Sequence, residues 1–225
     1  MSMNERPART AISPSDLTFG SSGCKRCFWL KYRLGVQLST PFPGIVTALA
    51  ARQERWYKDK TASDFSPDLP VGKVHSTNKK LTSAPLVVDG VATPFTITGK
   101  YDFLLKYEDG TFGIVDTKVS AKSGKANFYW PQLAAYRYLL AHPASGEPRV
   151  CSTLGLVVWT PTQAERTGDA AFAVGFAAAY EAVSEPDGAF DLLIGDVVRL
   201  IDSPLPPEPE ECATCAFVRT HPLAH

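Results

Sequence analysis

Two acidic residues and a lysine carry the strongest chemical signal in the chain. Asp116 and Lys118 stand two apart in Ile114-Val115-Asp116-Thr117-Lys118, so on a strand they share a face. Asp102 ends the segment Thr98-Gly99-Lys100-Tyr101-Asp102. It is separated from Asp116 by Glu108-Asp109-Gly110, a hairpin turn signal. Register decides whether these groups meet. A two-residue loop at Asp109-Gly110 pairs Asp102 with Thr117 and sends the two carboxylates to opposite faces. A three-residue loop with Gly110 left-handed pairs Tyr107 with Thr111 and sets Asp102 directly opposite Asp116. Facing carboxylates repel unless a cation lies between them. The expectation is therefore the three-residue turn and a hard divalent ion, Mg²⁺ or Mn²⁺. Such an ion activates water and neutralises charge on a phosphate, and Lys118 stands ready to orient that water.

The second chemical signal is four cysteines in two C-x-x-C pairs, Cys24/Cys27 and Cys212/Cys215. Each pair offers two thiolates to one metal, and two pairs complete a four-sulfur site for zinc or a [4Fe–4S] cluster. Either would join the two ends of the chain. Cys151, alone in an apolar segment, reads as a small core residue.

The elements that must hold these groups follow from local pattern. Ser13 and Pro14 read as the cap and first turn of a helix. Ile45 to about Lys60 is helical, with Ile45, Leu49 and Trp56 near one stripe. Residues 61–80 are polar and read as loop. Leu86 to Val91, Pro94 to Tyr107 and Phe112 to Val119 read as strands. Lys118 to Lys125 reads as a basic loop, and Pro131 as the opening of a helix through Leu140. Val150 to Trp159 is an apolar strand and Phe172 to Gly175 a short one. Phe176 to Ile194 is helical in composition, broken at Pro186-Asp187-Gly188. The proline-rich stretch from Ser203 to Glu211 is an extended linker that delivers Cys212 and Cys215.

Gly99-x-x-Asp102, Asp116-x-Lys118 and Gln132-x-x-x-Tyr136, in that order, resemble the PD-(D/E)xK nuclease superfamily and specifically its RecB-like branch. Ser13-Pro14-Ser15-Asp16-Leu17 with Cys24-Lys25-Arg26-Cys27-Phe28-Trp29 is similar to that branch's N-terminal helix and cysteine. The Cys212/Cys215 pair is similar to the cysteine-rich end of AddB and CRISPR-associated RecB-like nucleases. The resemblance spans residues 13–217 and implies one nuclease domain of α/β class. Its restriction-endonuclease-like mixed central sheet would be flanked by helices, with residues 203–217 closing back onto the N-terminal cysteines. It implies that Asp102, Asp116 and the backbone carbonyl of Thr117 bind the metal. Lys118 would be catalytic, and Gln132 and Tyr136 would lie beside it on one helix face. It also favours a [4Fe–4S] cluster at Cys24, Cys27, Cys212 and Cys215, with zinc as the alternative. One departure stands out. Four residues after a helix-opening glycine the branch places a metal-binding histidine; counting from Gly44 that position is Ala48, and Glu54 or Gln53 would have to substitute. Without a substitute, the fold would serve as a weak or inactive nucleic-acid-binding adaptor.

Composition limits how nucleic acid could be held. Lys+Arg and Asp+Glu are both 23, giving a formal net charge of zero in 225 residues, so no basic field covers the whole molecule. Local patches must suffice. Lys122 and Lys125 beside Trp130, and the interleaved Lys25, Arg26, Phe28, Trp29, Lys31, Tyr32 and Arg33, have the mix of charge and rings that holds single strands. No base-reading motif accompanies them. The expected partner is DNA that is single-stranded or has free ends, delivered with a helicase, recombination or CRISPR-type protein. No apolar run is long enough for a membrane span and no secretory signal is evident, so a cytoplasmic protein is expected.

Overall fold

The computed structural model describes residues 7–36 and 43–220. In chain order the elements are β1 (Ala11–Ile12), α1 (Pro14–Ser22), α2 (Lys25–Arg33), α3 (Gly44–Tyr57), β2 (Gly72–Thr77), β3 (Lys80–Thr82), β4 (Val87–Val88), β5 (Val91–Ala92) and β6 (Thr96–Lys100). They continue with β7 (Phe103–Tyr107), β8 (Phe112–Val119), α4 (Ala126–Ala141), β9 (Cys151–Gly168), β10 (Ala171–Ala182), α5 (Ala189–Asp202) and α6 (Ala213–Thr220). Pro41-Phe42-Pro43-Gly44, a run whose prolines and glycine read as a break in the chain, lies partly outside the described residues.

A five-stranded mixed sheet in the order β10-β9-β8-β7-β2 forms the centre, with β8 and β9 parallel and the other pairs antiparallel. Side chains alternate across it, as strand geometry requires. Leu104, Ile114 and Leu156 join Leu17 of α1, Leu133 of α4 and Ile194 of α5 in the larger core. Phe103, Leu105, Val115 and Val157 point the other way, onto Tyr57 of α3 and Phe65. The sheet is thus buried on both faces, and the expected α/β class with a mixed sheet and flanking helices is what the chain adopts. A three-stranded sheet, β1-β6-β3, stands apart from it.

Several local expectations give way to tertiary structure. The strand expected from Pro94 to Tyr107 is two strands in different sheets, broken at Tyr101-Asp102. Leu86 to Val91 is a hairpin, turned by Asp89 and Gly90 at φ of 52° and 77°, because both residues tolerate left-handed backbone. The polar stretch 61–80 contains β2, which pairs with β7 as an edge strand; an edge needs little apolar sequence. The alanine-rich segment from Phe176 is strand up to Ala182, with Ala179 opposite Val158 and Tyr180 opposite Val157. Pairing with the long β9 overrides alanine's helical preference. Pro131 lies inside α4 instead of opening it. The helix begins at Ala126 because the Glu181 carboxylate, from β10, accepts the N–H groups of Gly124, Lys125 and Ala126 at 2.6, 3.0 and 3.0 Å. Such a cap comes from far away in sequence and supplies charge where the helix dipole favours it. In α3 the inward residues are Gln53 and Tyr57. Ile45 and Trp56, expected on the core stripe, are 66% and 61% exposed.

Candidate active site

The hairpin between β7 and β8 settles the register. Tyr107 N–H donates to the Thr111 carbonyl at 2.9 Å, Gly110 N–H to the Tyr107 carbonyl at 3.1 Å, and Gly110 has a φ of +85°. This is the three-residue turn. Its ladder runs from Lys106↔Phe112 to Phe103↔Val115, and one further step sets Asp102 opposite Asp116. At that step the ladder ends. The Asp102 side chain takes over from the backbone, its Oδ2 accepting from Thr117 N–H and Thr117 Oγ1–H, each at 2.8 Å.

Asp116 is 3% exposed. Its Oδ1 accepts from Gln132 Nε2–H of α4 at 2.9 Å, and its Oδ2 lies 2.5 Å from Lys118 Nζ. Burial pushes the Asp116 carboxyl up to about 6; the Lys118 charge opposes the rise and Asp102 adds to it. Burial works against the Lys118 ammonium as well, but Asp116, Asp102 and Tyr129 outweigh it and hold Lys118 above the ordinary lysine range. The ammonium also sits over the Tyr129 ring, 4.9 Å from its centroid.

Two observations fit a cation here. Gln132 Oε1 is buried without a hydrogen-bond partner among the described residues, and Asp116 Oδ2 is met only by the Lys118 ammonium. A buried acceptor without a donor is costly, and together with the Asp102 and Asp116 carboxylates it makes an oxygen-rich set suited to Mg²⁺ or Mn²⁺. Asp102, Asp116 and the Thr117 carbonyl are the groups of this chain that would hold it.

The surrounding shell is built by helices. Tyr136 O–H donates to the Lys100 carbonyl at 2.7 Å, fixing the chain just before it bends at Asp102. Burial pushes the Tyr136 phenol well above its ordinary range. Gly99 belongs to the same packing: a Cβ there would lie 2.5 Å from Pro14 Cγ and 3.1 Å from Tyr136 Cε1. Gln132 N–H reaches Thr18 Oγ1 of α1 at 3.2 Å. From the opposite face of the sheet, Gln53 of α3, 1% exposed, donates Nε2–H to the Lys118 carbonyl at 3.2 Å. Glu54 turns aside and accepts from Thr77 Oγ1–H at 3.1 Å; Thr77 pairs with Phe103, next to Asp102. Ala48 is exposed on the outer side of α3. Sequence spacing thus singled out Glu54, while Gln53 makes the contact with β8. Its signal was present in the sequence, since Gln53 and Tyr57 are one turn apart and share a face.

The two aromatic-basic patches differ. Lys122 and Lys125 are exposed on the loop after β8, and Trp130 is half-buried against the larger core. In α2 the rings of Phe28, Trp29 and Tyr32 are core residues, Lys31 pairs with Asp16 at 2.7 Å and Arg33 with Asp202 at 3.8 Å. That patch is spent on packing and is not a stacking platform.

The four cysteines converge as expected. All four Sγ atoms lie within 4.8 Å of one another. The individual separations are 3.6 Å for Cys24–Cys215, 3.6 Å for Cys27–Cys215 and 3.7 Å for Cys27–Cys212. The Cys215 N–H pulls the Cys212 thiol down to about 7, while burial pushes the Cys215 thiol up to about 11. Cys151 stands away from the cluster with Sγ 3.4 Å from the Thr153 carbonyl; burial raises its thiol to about 11. His221 and His225 lie outside the described residues. No described helix is long and apolar enough to cross a membrane.

Comparison with known proteins points the same way. The model of the PD-(D/E)XK nuclease superfamily matches residues 49–220. No curated protein matches the chain. Among solved structures it is similar to the crystal structure of SSO0001, with a TM-score of 0.56 and 17% identity over 98% of this chain and 89% of that one. At that identity the likeness is one of fold.

Proposed function

Because this chain belongs to the PD-(D/E)XK nuclease superfamily, we propose that it is a metal-dependent nuclease of the RecB-like type, hydrolysing DNA phosphodiester bonds at the corner formed by Asp102, Asp116 and Lys118. The observation that carries this reading is the β7–β8 register, whose continuation by one step puts Asp102 across from Asp116, beside the Lys118 ammonium and the unpartnered buried Gln132 Oε1. A divalent cation bound there would supply Lewis acidity toward a phosphate oxygen and a more acidic bound water. The residues divide the remaining work. Asp102, Asp116 and the Thr117 carbonyl form the ligand set, with Glu54 nearby at the Asp102 end. Lys118, held protonated, orients the attacking water and meets charge as it develops on the phosphate. Gln132 clamps Asp116 through Oδ1, and Tyr136 holds the backbone at Lys100. Gln53 fixes the end of β8 from the other face.

Substrate binding in this reading is local. Lys122 and Lys125 on the exposed loop follow phosphates, and the outer edge of Trp130 meets a base. With no net charge to attract a duplex from a distance, single strands or free ends supplied by a helicase, recombination or CRISPR-type partner suit the site. The test is cleavage of labelled single- and double-stranded DNA with Mn²⁺, comparing the native chain with Lys118→Ala. The reading expects loss of about 100-fold or more in rate for the variant, the scale of removing one donor aimed at developing charge. Equal rates would remove it. DNA binding by the native chain without any cleavage would instead favour the adaptor role that Ala48 suggests.

A further inference from the structure

Cys24 caps the N-terminus of α2 and accepts the Cys27 N–H at 3.4 Å. Cys212, just before α6, accepts the Cys215 N–H at 3.5 Å. The two halves are copies of one motif: a cysteine at a helix start whose sulfur accepts the N–H of the cysteine three residues on. Their approach is fixed by the linker. Arg26 Nη1 donates to the Pro206 carbonyl at 2.9 Å and Trp29 Nε1–H to the Ser203 carbonyl at 2.8 Å, so α2 holds residues 203–211 in the position that delivers the second pair.

The sulfur spacing discriminates between occupants. Four thiolates at about 2.3 Å from one tetrahedral ion stand about 3.8 Å apart. In a four-iron cube each thiolate binds its own corner iron, and the sulfurs stand about 6 Å apart. Here three separations are 3.6, 3.6 and 3.7 Å and none exceeds 4.8 Å. A two-iron cluster fits no better. It divides the sulfurs into two separated pairs, yet the short contacts run Cys24–Cys215–Cys27–Cys212. Every division into pairs therefore leaves a short contact between them. We infer that Cys24, Cys27, Cys212 and Cys215 hold one four-coordinate Zn²⁺ rather than the iron–sulfur cluster that the family resemblance implies. A closed four-sulfur tetrahedron suits zinc, which also outranks ferrous iron in affinity for such ligands. With no open position the ion is structural, and it does not depend on the hydrolytic reading.

The experiment uses the whole chain carrying Asp116→Asn, so that the carboxylate corner contributes no metal to the count. It is expressed with iron and zinc both supplied and purified without oxygen, then assayed for zinc, iron and acid-labile sulfide. One zinc per chain, no sulfide and no visible absorption are expected. Exchange of zinc for Co²⁺ should then produce the intense visible bands of tetrahedral cobalt thiolate, and these should be lost in Cys212→Ser. Iron in any stoichiometric form, with or without sulfide, overturns the inference. So does metal-free protein that takes up no zinc when one equivalent is added.

Discussion

Asp116→Asn should stabilise the metal-free protein while abolishing cleavage. The Asp116 carboxyl is pushed up to about 6 in the fold, chiefly by burial, against about 3.9 in an unfolded chain. Between those values the native state binds a proton that the unfolded state does not. That contribution to stability is fully present below about pH 4 and is lost as the pH rises through 6. By pH 7.5 the ionised carboxylate costs the fold about 3 kcal/mol, from roughly two pKa units at 1.36 kcal/mol each. Asparagine removes that cost. It also leaves Lys118 without its partner, a smaller loss because the Lys118 side chain is 26% exposed and can turn to water. The net gain is about 1–2 kcal/mol, or roughly 3–6 °C in melting temperature for a chain of this size. The assay is thermal unfolding in chelator at pH 7.5 and at pH 5. The variant should melt higher at pH 7.5, and the difference should shrink at pH 5. Adding Mn²⁺ should raise the melting temperature of the native chain alone. A variant that melts at or below the native chain at both pH values would refute the argument that this carboxylate is held against its electrostatic preference.

Other perturbations test the surroundings. Gly99→Ala should cost about 1–3 kcal/mol by overpacking, because its Cβ would enter the contact with Pro14 and Tyr136; denaturant unfolding measures it. Glu181→Ala should cost about 1–2 kcal/mol, since it removes the acceptor for three N–H groups at the start of α4. It should also weaken DNA binding by loosening the loop that carries Lys122 and Lys125. Cys151 should resist alkylation in the native state at pH 8, because its thiol is raised to about 11, and react on unfolding; mass spectrometry after a timed pulse of reagent reports it.

What the sequence made legible was local. The Glu108-Asp109-Gly110 turn allowed two registers, and the need of facing carboxylates for a cation selected the three-residue loop that the structure has. The C-x-x-C pairs announced their meeting because two thiolates leave a four-sulfur site half complete. Features set by distant contacts were not legible. Alanine favours helix alone, and only the long edge of β9 draws residues 176–182 into a strand. The start of α4 at Ala126 depends on Glu181, which comes from β10. In α3 the conspicuous apolar residues Ile45 and Trp56 face outward, while a glutamine faces in because a backbone carbonyl of β8 awaits a donor. The division of residues 94–107 between two sheets has no local marker beyond Asp102 itself, whose side chain replaces the missing ladder bond.

The β9–β10 arm stands clear of both cores, with residues 161–174 exposed. The segments on either side of it nonetheless meet elsewhere: α5 packs against α1, α2 and α4, and the sulfurs of Cys212 and Cys215 lie within 4.8 Å of those of Cys24 and Cys27. Covalent continuity through the arm's tip is therefore mechanically redundant. A backbone cut there should leave two fragments that remain one particle, with the acidic corner wholly on the first fragment and the four cysteines shared between both.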